Sequence, residues 1–366
     1  MESKKIWIKD VKAGMVVAED TYNSKNELII PKDTILTDAI ISRLIGFGVS
    51  RMFVYEKEVE PFIRQKIEDG SLKKEESQQA KLKKSHEFQA FKQHFDDTVE
   101  NMNSFFEGII AGDEEVNIMS FLDDVQCIMM QGHNAFHVLD MMQCMREYDD
   151  VTFVHCLSVS LICNIIGQWI RMDEADLRVL TMAGLLHDVG KLKVPRELIT
   201  KPGALTREEY EIVKKHTIYG YEVLKNQNID NRIKLAALMH HERCDGTGYP
   251  DGIKANEIDT MSKIVAVADV YDAMTADRPY REGVCPFDVI EMFEREGLAI
   301  YDPGVLITFM ERTVQSYIHA NVVLSNSQIG EIIMINPVAL ARPLIRTEKQ
   351  IWDLSKNRQI KIEKIL

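Results

Sequence analysis

Apolar residues recur at helical spacing from Val116 to about residue 318, and this stretch sets the character of the chain. Asn117 to Met145 carries a Met-rich apolar face. A long helix is predicted over about 152–171, with Asp149-Asp150 at its start, and another opens at Asp173 or Glu174 and runs to His187. Thr206-Arg207-Glu208-Glu209 is a capping box, with Thr206 as N-cap and Glu209 at N3, and predicts a helix through about Leu224. Helices follow over about 231–241 and 261–275. Pro286 suits a first helical position, and Asp302-Pro303 supplies N-cap and N1 of a last helix.

The flanks have a different pattern. Between residues 6 and 56, Val16-Val17-Ala18 and Leu28-Ile29-Ile30 flank a polar turn at Tyr22 to Asn26, as in a hairpin. Thr37 to Leu44 reads as a short helix and Arg51 to Tyr55 as a closing strand. Residues 57 to about 115 form a charged helical connection, in which His86 and His94 read as surface residues. The tail from 319 reads as strands around an Asn326-Ser327 turn, with Pro337 and Pro343 placed as on sheet edges. The expected fold class is mainly α. A helical catalytic domain (116–318) follows a small β-rich α+β domain (1–56) and a helical linker (57–115), and a β appendage (319–366) closes the chain.

Composition narrows the function. The 366 residues carry 45% hydrophobic and 28% charged residues, as in ordinary globular proteins. With a net charge of −13 nothing favours sequence-independent binding to duplex nucleic acid, and none is expected. An anionic substrate would need local cations or metal. No apolar run approaches the roughly 20 residues of a membrane span, and the N-terminus lacks a signal-peptide core. Six cysteines without a CxxC pair suit free thiols, so a cytoplasmic protein is expected. The long helical connection makes a homodimer plausible.

The chemistry concentrates in Leu185-Leu186-His187-Asp188-Val189-Gly190-Lys191. An imidazole can bind one ion while the adjacent carboxylate bridges it to a second. Gly190 suits a helix C-terminus that needs φ > 0, and Lys191 stands one turn from the pair. The competing reading is a buried salt-bridged dyad. The distribution of histidines weighs against it: of ten, His155, His187, His216, His240 and His241 lie on or at the ends of predicted helices, in one block with Asp188 and Asp269. Helices converging on a bundle interior would bring them together. The adjacent pair His240-His241 is hard to explain as packing. Such nitrogen and oxygen donors suit iron, manganese, cobalt, nickel or zinc. Two ions about 3.5–4 Å apart would suit phosphoester hydrolysis by a shared, deprotonated water. His133 and His137 also share a helix face but read as a structural or exposed pair, with no acid between them.

The segments His187 to Lys191 and His240 to Pro250 resemble the two signatures of HD-GYP domain proteins, a subgroup of the HD metal-dependent phosphohydrolases. Lys201-Pro202-Gly203, Ala268 to Ala273 and Arg278-Pro279-Tyr280-Arg281 are similar to further family segments, in order, across roughly 120–315. The resemblance implies cleavage of cyclic di-GMP to pGpG and, in many members, GMP. It implies His155, His187, Asp188, His216, His240, His241 and Asp269 as ligands of divalent ions, with Asp188 bridging. It also implies Lys191 beside the scissile phosphate, and Tyr249, Arg278 and Arg281 on the substrate. Some members place a metal-binding glutamate one turn before the first histidine. Valine stands there (Val151), so two ions are expected rather than three, iron or manganese first, with nickel, cobalt or zinc as alternatives. Other readings are a phosphodiesterase for 3′,3′-cyclic GMP-AMP or another nucleotide, and a scaffold that keeps the fold.

Overall fold

The computed structural model describes residues 3–8, 11, 15, 17–19, 21–22, 28–30, 36, 44, 51–55, 82–112, 120–145, 151–201, 203–276 and 283–366. The expected helix over Thr37 to Leu44, the Tyr22–Asn26 turn itself and the Asp149-Asp150 cap fall largely or wholly outside these residues. The chain divides into two compact units, Met1–Glu75 and Glu76–Leu366.

In the first unit, β1 (Ser3–Trp7) pairs antiparallel with β4 (Arg51–Tyr55), and β2 (Thr21–Tyr22) with β3 (Leu28–Ile30). Alternation turns Met52 and Val54 inward, where they join Val11, Val17, Ile30, Leu36 and Leu44 in a small core. Arg51 and Lys5 lie over the rings of Trp7 and Phe53, their cross-strand neighbours.

The second unit is helical and ends in a sheet. α1 (His86–Ala111) starts at Ser85, whose side chain accepts from the Phe88 amide, and ends at Gly112 with φ 73°. It is less a solvated connection than a structural helix: Phe88, Phe91, Phe95, Met102, Phe105, Phe106 and Ile109 are buried in the same core as the helices that follow. These are α2 (Ser120–Met130), α3 (Ala135–Cys144), α4 (Val151–Trp169) and α5 (Glu174–Leu186). Asp173 caps α5, accepting from the Asp176 amide.

α4 is the centre of the unit. It is apolar nearly all round because neighbours cover it on every side. Among the described residues it is the one helix long and apolar enough to cross a membrane, which the sequence reading had not anticipated, yet 78% of the Thr152–Trp169 window is buried inside the unit. Its polar residues face α5, where Ser160 donates to the Thr181 carbonyl and Asn164 to the Thr181 hydroxyl, both at 2.8 Å. Gly184 permits this close crossing, since a Cβ there would lie 2.9 Å from the Ser160 Cα.

After α5 the chain forms a 3-10 turn, Val189–Lys193, and a short helix, α6 (Arg196–Ile199). The expected helix from Thr206 to Leu224 is two: α7 (Arg207–Lys214), with its capping box formed, and α8 (His216–Leu224). α9 (Asn231–Met239), α10 (Thr260–Thr275), α11 (Pro286–Met292) and α12 (Pro303–Ser316) complete the body, the last two with proline in the first turn.

β5 (Asn321–Leu324), β6 (Ile329–Asn336), β7 (Ala339–Thr347), β8 (Ile351–Asp353) and β9 (Ile362–Ile365) form one antiparallel sheet in the order β8-β7-β6-β5-β9. Val322, Leu324, Ile332, Ile345 and Ile362 belong to the helical core, and Glu294 accepts the Leu340 amide at 2.6 Å. The sheet thus shares a core with the helices. Pro343 is not on an edge strand, because β7 pairs on both sides. It sits instead where the β6–β7 register shifts, a place that tolerates the missing amide hydrogen.

Gly190 also differs from expectation. It lies in the 3-10 turn without a positive φ. Its reason is space: a Cβ would stand 2.0 Å from the His216 carbonyl oxygen and 2.4 Å from the Gly220 nitrogen. Gly190→Ala is therefore expected to force the turn and α8 apart and to cost about 3 kcal/mol or more, read as a lowered Tm in thermal denaturation.

Candidate metal centre

The apolar run of α5 ends at Leu186, and the next two residues turn into the interior, His187 wholly buried and Asp188 1% exposed. The break at Lys215 starts α8 on His216. α9 unwinds after Met239, so His240 is its C-cap and His241 begins the following loop. Asp269 and Asp272 share one face of α10 at i, i+3 spacing. His155 comes from α4. Five separate segments thus meet at one point.

Asp188 is that point, and its two oxygens face different donors. Oδ2 lies 3.3 Å from His187 Nε2 and 3.6 Å from His155 Nε2, and accepts from Lys191 Nζ. Oδ1 lies 3.3 Å from His216 Nε2 and 3.7 Å from His240 Nε2. Asp269 Oδ1 sits 3.0 Å from His155 Nε2 and 3.9 Å from His187 Nε2, and its Oδ2 is 3.8 Å from His241 Nδ1. Two groups of donor atoms lie within 4.8 Å of one another: Asp188, His216, His240 and His241; and His155, His187 and Asp269.

The imidazoles are oriented from behind. Nδ1 of His187, His216 and His240 lies 2.8, 2.7 and 2.9 Å from the carbonyls of Gly184, Val213 and Ala236. A carbonyl only accepts, so each Nδ1 carries the proton and each Nε2 presents a lone pair inward. His155 Nδ1 is held in the same way by Asp272 Oδ2 at 2.7 Å. A carboxylate or carbonyl behind a ligating histidine fixes its tautomer and raises its basicity.

Electrostatics agree. Burial alone would raise the pKa values of Asp188 and Asp269. Lys191 nevertheless holds Asp188 well below its ordinary range, and the hydrogen bond from His155 does the same for Asp269. Burial pushes His216 and His240 down, and His241 down to about 3, so these three are neutral. Burial opposes charge on His155, but Asp269 and Asp272 outweigh it and push the group up to about 9.

This arrangement fits divalent metal. His187 Nε2 and Asp188 Oδ1 are buried with no hydrogen-bond partner. His216 Nε2 and His240 Nε2 face each other at 3.3 Å, lone pair to lone pair. A cation between such donors relieves both defects. The Cys156 Sγ also lies within 4.8 Å of His187 and Asp188 donor atoms, which the sequence did not suggest. Burial, with Asp188 adding, drives its thiol well above the ordinary range.

Around the donors, the Tyr249 ring stacks on His241 with centroids 4.7 Å apart. Gly248 is forced by space, since its Cβ would lie 2.4 Å from the Arg243 nitrogen. Glu242, 3% exposed, accepts from the amides of Asp251, Gly252 and Ile253 at 2.7, 3.1 and 3.1 Å and so folds the loop back beneath Tyr249. Asp272 and Glu242 were visible only as motif members, because residues that orient a histidine or a loop from behind leave no spacing signal. Arg278, Arg281 and the Val151 side chain lie outside the described residues. His133 and His137 stack on each other at 4.8 Å, and His137 Nδ1 accepts from the His133 amide, so the pair belongs to neither donor group.

A helical body gathers histidines and aspartates from five segments around one carboxylate, a donor set suited to divalent metal. Residues 137–305 match the family model described as HD domain. A protein from Thermotoga maritima named cyclic di-GMP phosphodiesterase is 39% identical over 183 residues, 48% of this chain and 49% of that protein. One of the same name from Pseudomonas aeruginosa is 31% identical over 227 residues, 62% of this chain and 54% of that protein. A Vibrio cholerae protein named 3′3′-cGAMP-specific phosphodiesterase 3 is 37% identical over 134 residues, 37% of this chain and 29% of that protein. The chain spans about half the length of the first two relatives. Over residues 137–305 the chain is thus similar to HD-domain proteins.

Glu242→Ala removes the acceptor of three amides. With hydrogen bonds to charged groups contributing about 1.5–3 kcal/mol each, the loop is expected to lose most of its protection. Faster hydrogen exchange at 251–253, with α4 and α5 unaffected, is the measurement; unchanged exchange would show that the loop stands without it.

Proposed function

We propose that the protein is a metal-dependent phosphodiesterase that hydrolyses cyclic di-GMP to pGpG and/or GMP. The observation that carries the reading is the division of donors between the two oxygens of Asp188. One ion would be held by His155, His187, Asp188 and Asp269, and a second by Asp188, His216, His240 and His241. Bound divalent ions supply an activated water and neutralise charge on the phosphoryl oxygens. Iron or manganese suits these donors first, then nickel, cobalt or zinc.

The chain's own groups do the remainder. Asp188 holds both halves of the site at fixed separation. Lys191, anchored on Asp188 but 25% exposed at its side chain, offers a proton or charge to the leaving oxygen. Tyr249 forms a wall above His241, and Arg278 and Arg281 are assigned to the substrate phosphates. The names of the Thermotoga and Pseudomonas relatives support cyclic di-GMP as substrate. The Vibrio relative supports 3′,3′-cyclic GMP-AMP as a second reading, which parallel rate measurements separate. Six free cysteines suit a reducing compartment, and we assign the protein to the cytoplasm.

Metal-loaded protein is expected to release pGpG or GMP from cyclic di-GMP; no product with iron, manganese, nickel or cobalt would sink the reading. Asp188→Ala should abolish turnover and lower metal content together. If its cellular effect equals wild type, the protein acts as a scaffold. Lys191→Ala should lower kcat by about a hundredfold while metal content stays near wild type; equal loss of both would make Lys191 structural.

A further inference from the structure

We propose that Tyr210 and Lys214 of α7 form a nucleobase-recognition wall, on which a purine of the substrate stacks against the Tyr210 ring beside the Lys214 ammonium. The proposal rests on the phosphodiester reading of the metal site.

α7 has no buried residue, so neither side chain is there to fill a core. The helix is nevertheless held firmly in place. Its capping box is complete, and Lys201 Nζ bonds Glu209 Oε2 at 2.5 Å. What this fixed helix presents is an aromatic ring that is 47% exposed and a lysine at i, i+4.

The ring continues a path that begins at the metal donors. His241 stacks on Tyr249, and Tyr210 meets Tyr249 edge-on at 6.4 Å and 79°. Lys214 Nζ stands 5.4 Å from the Tyr210 centroid and 5.5 Å from that of Tyr249. Two perpendicular rings with a cation at their corner make a step open to solvent. Such a step suits a planar, electron-rich base attached to phosphate: the ring supplies a stacking face and the ammonium a positive field. Lys214 also pairs with Glu211 at 2.6 Å, but Glu211 is half exposed, and an exposed pair of this kind is weak and exchangeable. On a chain of net charge −13, a lysine so placed is a local cation an anionic nucleotide can use.

The test compares two ligands that share a phosphate and differ in the base. Calorimetric titration of the manganese-loaded 366-residue chain with GMP and with ribose 5-phosphate measures the contribution of the base. Wild type is expected to bind GMP about tenfold more tightly, the size of one base–aromatic stack. Tyr210→Ala should erase that ratio, Tyr210→Phe should keep it, and Lys214→Met should weaken both ligands by a similar factor. Because the readout is a ratio, a general loss of fold or metal moves both constants and leaves it intact. Equal affinity of wild type for the two ligands, or an undiminished ratio in Tyr210→Ala, would overturn the proposal. Absence of cyclic di-GMP turnover with the ratio preserved would instead overturn the cleavage reading alone.

Discussion

The buried Asp188 carboxylate is the constraint on which the helical unit depends. Removing such a charge from water costs several kcal/mol, recovered only if its lone pairs find partners. Lys191 donates to one oxygen, while Nε2 atoms of His187, His216 and His240 approach the carboxylate with lone pairs that a cation between them would share. These partners come from the 3-10 turn, α5, α8 and the end of α9, so the carboxylate dictates where four segments end or bend. The helix break at Lys215 and the unwinding after Met239 follow from the same demand, since an unbroken helix would carry His216 and His240 elsewhere.

A second requirement is that lone pairs, not protons, point inward. The fold meets it at His187, His216 and His240 with backbone carbonyls near helix ends. These carbonyls lie in the last turns of α5, α7 and α9, and each has a second lone pair to offer; Ala236 accepts both the His240 amide and His240 Nδ1. Rigidity comes from the layer behind: the Ser160, Asn164 and Thr181 contacts lock α4 to α5, and Glu242 ties down the loop that carries Tyr249. The terminal sheet and α1 add to the same core, which keeps the donor-bearing helices from shifting.

Much of this was legible in the chain. The Thr206 capping box, the proline-led helices and the strands of the tail have local causes and were found where their residues implied. The donor residues stood out because histidine is scarce and five of ten fell in one block. What escaped the sequence depends on distance between remote segments. Gly190 looked like a C-cap, but its constraint is the His216 carbonyl across the turn. The charged runs near α1 masked a phenylalanine face, because sequence shows composition before it shows which side is covered. Pro343 looked like an edge residue, but a register shift accommodates it within a paired strand. Asp272, Cys156 and Tyr210 have neighbours that no spacing rule connects.

The charge balance of the site then links its two kinds of ligand. Asp188, Asp269 and Asp272 converge there, with Lys191 as the nearby amine, on a chain that is itself acidic. A phosphodiester brought to this cluster meets net negative charge at short range, where repulsion is strongest. Divalent cations reverse that sign. Under the proposed function metal loading would therefore condition substrate binding as well as chemistry, and the neutral state of His216, His240 and His241 gives cations donors that need not first release a proton. The acidity of the chain thus makes the proposed binding of an anionic nucleotide conditional on the metal.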